Sequence, residues 1–551
     1  MRAGRFTGYT LGGFQKDVTS GMVVGIVALP LAMAFAIASG VRPEYGIYST
    51  IIAGFLISFF GGSRYQIGGP TGAFVPILFG IVMQYGYENL LVAGFLAGIL
   101  LVIMGLLKIG SFIHYIPRPV TIGFTAGIAV LIFVGQIAPF LGLQNLKPQE
   151  EFILKFKEIL VNLGSINFYA LLTSAICFGM ILISLRFLPK IPWALLGLVL
   201  STLIPTLFFP TEVATIGSTF GSIPTHFPPF QFPDLSWAKI IELLIPACII
   251  AMLGGVESLL SALVADGMTN HRHHSNRELI GQGIANMITP LFGGIPATGA
   301  IARTATNIKS GAVSPLSGMI HSLFVLVVLV SLFSYASHIP LASMAPILMV
   351  VAWNMSERKE FLHVLRSKTE DSWVLLSTFL LTVIFDLVVG VLTGLALSFL
   401  LFTIRMSKEF RVRKLHLKSS HLEQTQQNLV SYSGSNVQVC LLNGPIFFGT
   451  AKQLHQLLKS QENGILVLCM DKVPYMDTTG EQIFSHLLSH IHKKGNKLII
   501  TGVQQQPKET IQKICHLNKI DENEFFSTGM QKELDSHIDL THLWNCAQKS
   551  H

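Results

Sequence analysis

From about residue 20 to residue 404, apolar stretches near the length of a bilayer crossing follow one another with short polar breaks. Beyond Val437 the rhythm changes to short apolar runs alternating with amphipathic segments. At ~20 residues per crossing plus short loops, the first region has room for about 14 spans. They are expected near residues 20, 45, 68, 90, 119, 167, 192, 240, 276, 297, 315, 340, 372 and 389. Gly and Pro interrupt several of them, above all Gly68 to Pro76 and Gly293 to Gly299, which predicts discontinuous helices instead of clean spans. Between Lys147 and Gly164, the residues Phe152, Ile153, Phe156, Ile159 and Leu160 share one helical face, as in a helix resting on a membrane surface. In the tail, Val437–Leu442, Ile465–Cys469 and Leu498–Thr501 read as strands, with helices near 450–460, 479–493 and 507–516, a small α/β domain. The expected division is residues 1–407 for the membrane region, 408–434 for a linker and 435–551 for the α/β domain.

Composition agrees with this pattern. Of the 551 residues 51% are hydrophobic and 12% charged, against roughly 25% charged in soluble domains. The net charge of +8 is spread over both regions, which excludes the concentrated basic face of a nucleic-acid binder. None of Cys177, Cys248, Cys440, Cys469, Cys515 and Cys546 forms a C-x-x-C pair, so a reduced, cytoplasmic tail is expected. The first apolar run, Met22 to Ser39, is too long for a signal-peptide core and reads as the first span. With the N-terminus inside, most loop Lys and Arg fall on the cytoplasmic side, the exceptions being Arg42, Lys147, Lys155, Lys157 and Lys239. That favours an even number of spans, with Arg405, Lys408, Arg411, Arg413 and Lys414 facing the anionic lipid of the inner leaflet.

Two of the interrupted segments resemble each other. Thr71-Gly72-Ala73 and Thr298-Gly299-Ala300 are separated by 227 residues (298 minus 71), and the same offset carries Pro30 onto Glu257. With seven spans per repeat, an odd number, the second copy inserts upside down, so two broken helices meet near the midplane from opposite sides. Their N-termini carry unsatisfied N–H groups and partial positive charge, and small residues let a ligand approach the backbone. Arg303 adds a full charge, and an anion site follows. Glycine, alanine and threonine also serve tight helix packing in membranes, which would explain one such segment alone. Two related segments with an Arg favour the site.

Glu257 stands in the apolar run Met252 to Ser261, where a carboxylate is expensive and usually functional. Three roles are open to it: a proton carrier, a sodium ligand together with Ser261 one turn away, or a structural pair with Arg303. The cluster His271-Arg272-His273-His274 has no Cys or carboxylate pattern to complete a metal site, and neither a Walker sequence nor a nucleophile and base pair is present. No metal, no organic cofactor and no enzymatic activity are expected.

Together, Ala28-Leu29-Pro30-Leu31-Ala32-Met33-Ala34-Phe35-Ala36, Phe60-Gly61-Gly62-Ser63-Arg64, Gly69-Pro70-Thr71, Glu257 to Leu260 with Asp266-Gly267-Met268-Thr269, and Gly293-Gly294-Ile295-Pro296 resemble the SulP family of anion transporters over almost the whole chain. The resemblance implies an α-helical polytopic membrane protein of 14 spans as a seven-plus-seven inverted repeat, a homodimer with elevator-like transport, and a C-terminal cytoplasmic α/β STAS domain, in a bacterial inner membrane. By position, it implies an anion pocket at Phe35, Thr71, Gly72, Ala73, Thr298, Gly299, Ala300, Ile301, Ala302 and Arg303, with Glu257 and Ser261 at the coupling-ion region for H+ or Na+. Leu31 departs from the pattern, since many relatives carry a polar Gln there. Val351 to Glu357 and Gly444 to Phe448 look most like the bacterial C4-dicarboxylate transporters of the family, which implies proton-coupled dicarboxylate uptake and an acyl carrier protein as partner of the STAS domain; sulfate or bicarbonate is the alternative substrate. Asp477-Thr478-Thr479-Gly480 resembles the turn that regulatory STAS proteins phosphorylate, with Thr479 at the hydroxyl position, although Thr478 and Glu481 also have capping-box spacing. From another class, an anion channel or a STAS-linked anion sensor remains open.

Overall fold

A computed structural model describes residues 9–144, 146–147, 149, 151–187, 192–209, 212–221, 224, 229–385, 387–417, 436–454, 464–493 and 497–517. The chain divides into two compact units, Met1–Ser398 and Phe399–His551.

The first unit is helical because its sequence offers long apolar runs whose backbone groups can be satisfied only within each segment. It begins with α1 (Leu11–Ala38), capped by the Thr10 hydroxyl accepting from Gly13 N, and α2 (Pro43–Phe60), with Pro43 at its start. The first broken segment follows, a two-residue strand β1 (Gly68–Gly69) that leads through a 3-10 turn into α3 (Val75–Tyr85). Next come α4 (Tyr87–Leu106), α5 (Arg118–Gly135), α6 (Ile137–Leu141) and α7 (Phe152–Val161). After α8 (Phe168–Phe187), α9 (Trp193–Phe208) and α10 (Ile216–Phe220), the long α11 (Trp237–Met268) and α12 (Ser275–Ile288) precede the second broken segment. That segment is β2 (Thr298–Gly299) followed by α13 (Ile301–Lys309). The unit continues with α14 (Leu316–Leu332), α15 (Met344–Met355), α16 (Arg358–Arg366), α17 (Glu370–Ile384) and α18 (Leu387–Glu409), whose end crosses into the second unit.

Every expected span position falls on or beside one of these helices or broken segments. Among the described residues, six segments are long and apolar enough by themselves to cross a membrane: Leu11–Ala38, Tyr87–Leu106, Arg118–Leu141, Phe168–Phe187, Trp237–Met268 and Leu387–Glu409. On α7, Ile153, Phe156 and Leu160 are exposed while Ile159 is buried, so the helix turns most of its apolar face outward. Two buried carboxylates tie connections together. Asp17 accepts from Val313 N, Ser314 N, Ser314 Oγ and Tyr9 Oη at the entry to α14, and Glu278 accepts from Gly62 N, Ser63 N and Gln282 Nε2 after α2. Each is an ionisable group made tolerable by three or more donors.

In the second unit a four-stranded sheet has its strands in chain order: β3 (Arg411–Leu417), β4 (Asn436–Asn443), β5 (Gly464–Lys472) and β6 (Lys497–Thr501). The last three are parallel, joined by right-sized crossovers, and β3 runs antiparallel to β4 with Arg411 opposite Asn443 and Leu417 opposite Val437. The stretch expected as a linker, 408–434, therefore contributes a strand that stands at the edge of the sheet among the described residues, and Arg411, Arg413 and Lys414 lie in it. Alternation with polar neighbours is weak in β3, which is why it did not read as a strand. Helix α19 (Thr478–Lys493) packs Phe484, Leu487, Leu488 and Ile491 onto Leu466, Leu468 and Met470, and α20 (Gln505–Leu517) adds Ile511 and Ile514. Val439, Leu441 and Cys469 form a second apolar cluster. Burial pushes the Cys440 thiol up to about 11, so it is a packing residue and not a reactive one. The later part of the helix expected near 450–460 lies outside the described residues.

Candidate anion site

The two broken segments meet. β1 and β2 pair antiparallel, Gly68 with Gly299 and Gly69 with Thr298, and Ala300 N donates to Ile67 O at 2.8 Å. The Thr-Gly-Ala of the second segment begins inside β2, whereas that of the first follows β1.

Several polar side chains hold this junction. Asn286 brackets Ala297, its Oδ1 accepting from Ala297 N and its Nδ2 donating to Ala297 O, both at 2.8 Å. Thr298 Oγ1 lies 2.6 Å from Ser258 Oγ and donates to Gly254 O, while Gly299 N donates to Ser258 Oγ. Thr304 Oγ1 accepts from Ile67 N at 3.1 Å and from Ser261 Oγ at 3.2 Å. Gln66 Nε2 reaches Ser258 O. Sequence reasoning missed Gln66, Ser258, Asn286 and Thr304, because single small polar residues in apolar helices read as packing; Asn286, an amide beside a predicted helix break, was the best available signal.

Beyond the junction each segment turns helical without a side-chain cap: Thr71 precedes the 3-10 turn Gly72–Phe74, and Ala300 precedes α13. The first N–H groups of both turns thus remain for a ligand. Phe35 packs here, since a β-carbon built at Gly72 would lie 3.4 Å from its ring and 2.9 Å from Ile132. Arg303, 2% exposed, reaches from α13 across to the other segment, where Nη2 donates to Pro70 O and the guanidinium fills the space beside Gly69. Gly69 has φ +149°, and a side chain there would strike Arg303. Among the described residues Arg303 Nη1 has no hydrogen-bond partner.

Glu257, 6% exposed, accepts from Thr71 Oγ1 at 2.9 Å. No direct ion pair joins it to Arg303 among the described residues; the contact that the geometry shows is the one to Thr71. Of the expected residues, the fold brings together Phe35, Thr71, Gly72, Ala73, Ala300, Arg303 and Glu257. Thr298 and Gly299 spend their polar groups on α11, Ser261 spends its hydroxyl on Thr304, Ile301 is half-buried, and Ala302 lies on the exposed side of α13. In the second unit Thr479 is half-buried in the first turn of α19. The cap is Asp477, whose Oδ1 accepts from Gly480 N at 2.7 Å and Oδ2 from Phe448 N at 3.0 Å, and not the Thr478–Glu481 box expected from spacing.

A helical membrane unit in which two broken helices face each other across a buried cation is the architecture of a small-anion carrier. The comparisons place it: residues 14–378 match the sulfate permease family and residues 433–529 the STAS domain, and the chain belongs to the sulfate permease family. YvdB of Bacillus subtilis, which bears the name of a candidate sulfate transporter, is 55% identical over 95% of this chain and 98% of its own length. The bicarbonate transporter BicA of a Picosynechococcus strain is 30% identical over 91% of this chain and 90% of its own. The solved transmembrane domain of a cyanobacterial BicA superposes with a TM-score of 0.63 at 30% identity, covering 69% of this chain and 98% of that one. The overall structure of SLC26A9 gives a TM-score of 0.78 at 18% identity over 94% of this chain and 89% of that one, a likeness of fold. The particular likeness to C4-dicarboxylate transporters expected from two short stretches gives way to the likeness to YvdB over nearly the whole length. The protein is a multi-pass membrane transporter of anions and not an enzyme.

Proposed function

We propose that this protein is a secondary carrier of a small oxyanion, sulfate first, with Glu257 carrying the coupling ion. The observation that carries the reading is the unpartnered Nη1 of a buried Arg303, set between two uncapped helix N-termini. A buried guanidinium left one donor short is costly, and an oxyanion at that place satisfies it together with the backbone N–H groups. The name of YvdB supports sulfate, and that of BicA supports bicarbonate as the second reading. Glu257 shares a hydrogen bond with Thr71, a residue of the anion site, so its charge state and anion occupancy act on the same few atoms. On this reading about 14 spans form the inverted repeat, with the N-terminus and STAS domain inside, and the junction of β1 and β2 moves as one body with its anion in a homodimer. Phosphorylation of Thr479 and binding of an acyl carrier protein belong to the same proposal as regulation.

The test is uptake of labelled sulfate, bicarbonate and succinate into proteoliposomes under an inward proton gradient, an inward sodium gradient, or neither. Gradient-driven sulfate uptake that Glu257→Gln reduces to exchange without accumulation is the expected result. Full concentrative uptake by Glu257→Gln removes the carboxylate from coupling. Succinate uptake without sulfate uptake would restore the dicarboxylate reading, and large unitary currents would make the protein a channel.

A further inference from the structure

Behind the junction, on the side away from α11, lies a second ionisable group. His321 sits in the second turn of α14 and is fully buried; its ring nitrogens have no side-chain hydrogen-bond partner among the described residues, and the polar group that the ring does meet is the backbone of Gly318, one turn earlier. Helix α14 packs against α1 and α2. The fold makes room for it with glycines: Gly21 of α1 lies against the backbone of Ser317 and His321, and a β-carbon at Gly54 of α2 would meet Cε1 of His321 at 3.6 Å and Gly68 O at 3.2 Å. The imidazole therefore borders the paired strand β1, the next residue of which, Gly69, lies against the Arg303 guanidinium.

The charged groups around α14 are few. On α1, Asp17 is committed to Tyr9, Val313 and Ser314 near the start of α14; on α2, Glu44 is paired with Arg42 at the far end; His338 follows α14 beyond its last turn and contacts Ser337. Across the junction stand Arg303 and, bonded to Thr71, Glu257. None of these is a carboxylate bonded to His321. In the absence of anion, Arg303 opposes a second positive charge beside it. A dianion at Arg303 reverses the sign of that interaction. A buried imidazole with no carboxylate partner is the group best placed to respond.

We propose that His321 is a proton-binding site coupled to the anion site, taking up a proton when a divalent oxyanion binds at Arg303 and returning it when the anion leaves. The inference rests on the anion site proposed above and gives it a second coupling group besides Glu257. By linkage, what the anion does to the proton the proton does to the anion, so anion affinity rises as pH falls.

The experiment is calorimetric titration of the purified full-length protein with sulfate from pH 6 to 8, each pH in two buffers of different ionisation enthalpy, which counts protons taken up on binding. Wild type is expected to take up a fraction of a proton that disappears in His321→Gln, and its affinity gain of several-fold from pH 8 to pH 6 is expected to shrink in that variant while persisting in part in Glu257→Gln. His321→Asn, with the same size-exclusion profile as wild type, serves if His321→Gln does not fold. Equal proton uptake and equal pH dependence in wild type and both His321 variants would overturn the inference and leave the carrier standing. Absence of sulfate binding in wild type at every pH would instead overturn sulfate as the ligand of the site, and His321 coupling with it.

Discussion

At the residue scale, three side chains carry the proposed site: Arg303, Glu257 and Thr71. Thr71 is the link, because its hydroxyl is the recorded donor to Glu257 and its backbone precedes an uncapped turn. Thr71→Val keeps the shape and removes the donor, leaving a buried carboxylate oxygen unpaired at a cost of about 1–3 kcal/mol. The expected outcome is a lower melting temperature together with at least several-fold weaker sulfate uptake. An unchanged melting temperature would mean that the hydrogen bond does not bear on stability. That Arg303, Thr71 and Glu257 lie at the two broken segments was legible in the sequence, since a charge inside an apolar run and a broken helix both violate what a bilayer requires. Thr298, Gly299 and Ser261 were legible as neighbours only. Which hydroxyl faces a ligand and which faces a helix depends on tertiary packing that a tripeptide match does not contain. His321 was overlooked amid the apolar run Leu316 to Leu332, although it violates the same rule as Glu257.

At the scale of elements, hydropathy located the helices because a spanning segment must be apolar over its length, whereas its register against a distant segment is set by a handful of polar clamps. The tail shows the same division. β4, β5 and β6 are parallel strands with long apolar runs and were readable, but β3 is an edge strand rich in Arg, Lys and His, which suits an edge and hides it. A soluble fragment beginning at residue 435 removes β3 and exposes the backbone edge of β4. A fragment of residues 408–551 is expected to be monomeric with a cooperative thermal transition, and residues 435–551 to aggregate or melt lower. Equal melting of the two fragments would show that β3 adds no stability to the sheet.

At the scale of the whole molecule, a helical unit and a small α/β unit were both evident from the pattern of apolar runs, which changes beyond Val437. The family and the class of cargo follow from motifs spread over the full length. The choice among oxyanions does not, because backbone N–H groups and one guanidinium recognise a shape and a charge that sulfate, bicarbonate and a carboxylate share in part. The central claim is that the cargo binds between two half-helices against Arg303. The most direct measurement is the equilibrium affinity for sulfate of wild type and Arg303→Ala, taken on protein that elutes and melts as a folded species. Loss of a charge-assisted interaction of about 1.5–3 kcal/mol predicts roughly 10- to 100-fold weaker binding. Undiminished affinity in folded Arg303→Ala would contradict this placement, because the guanidinium donor assigned to the anion would then be idle.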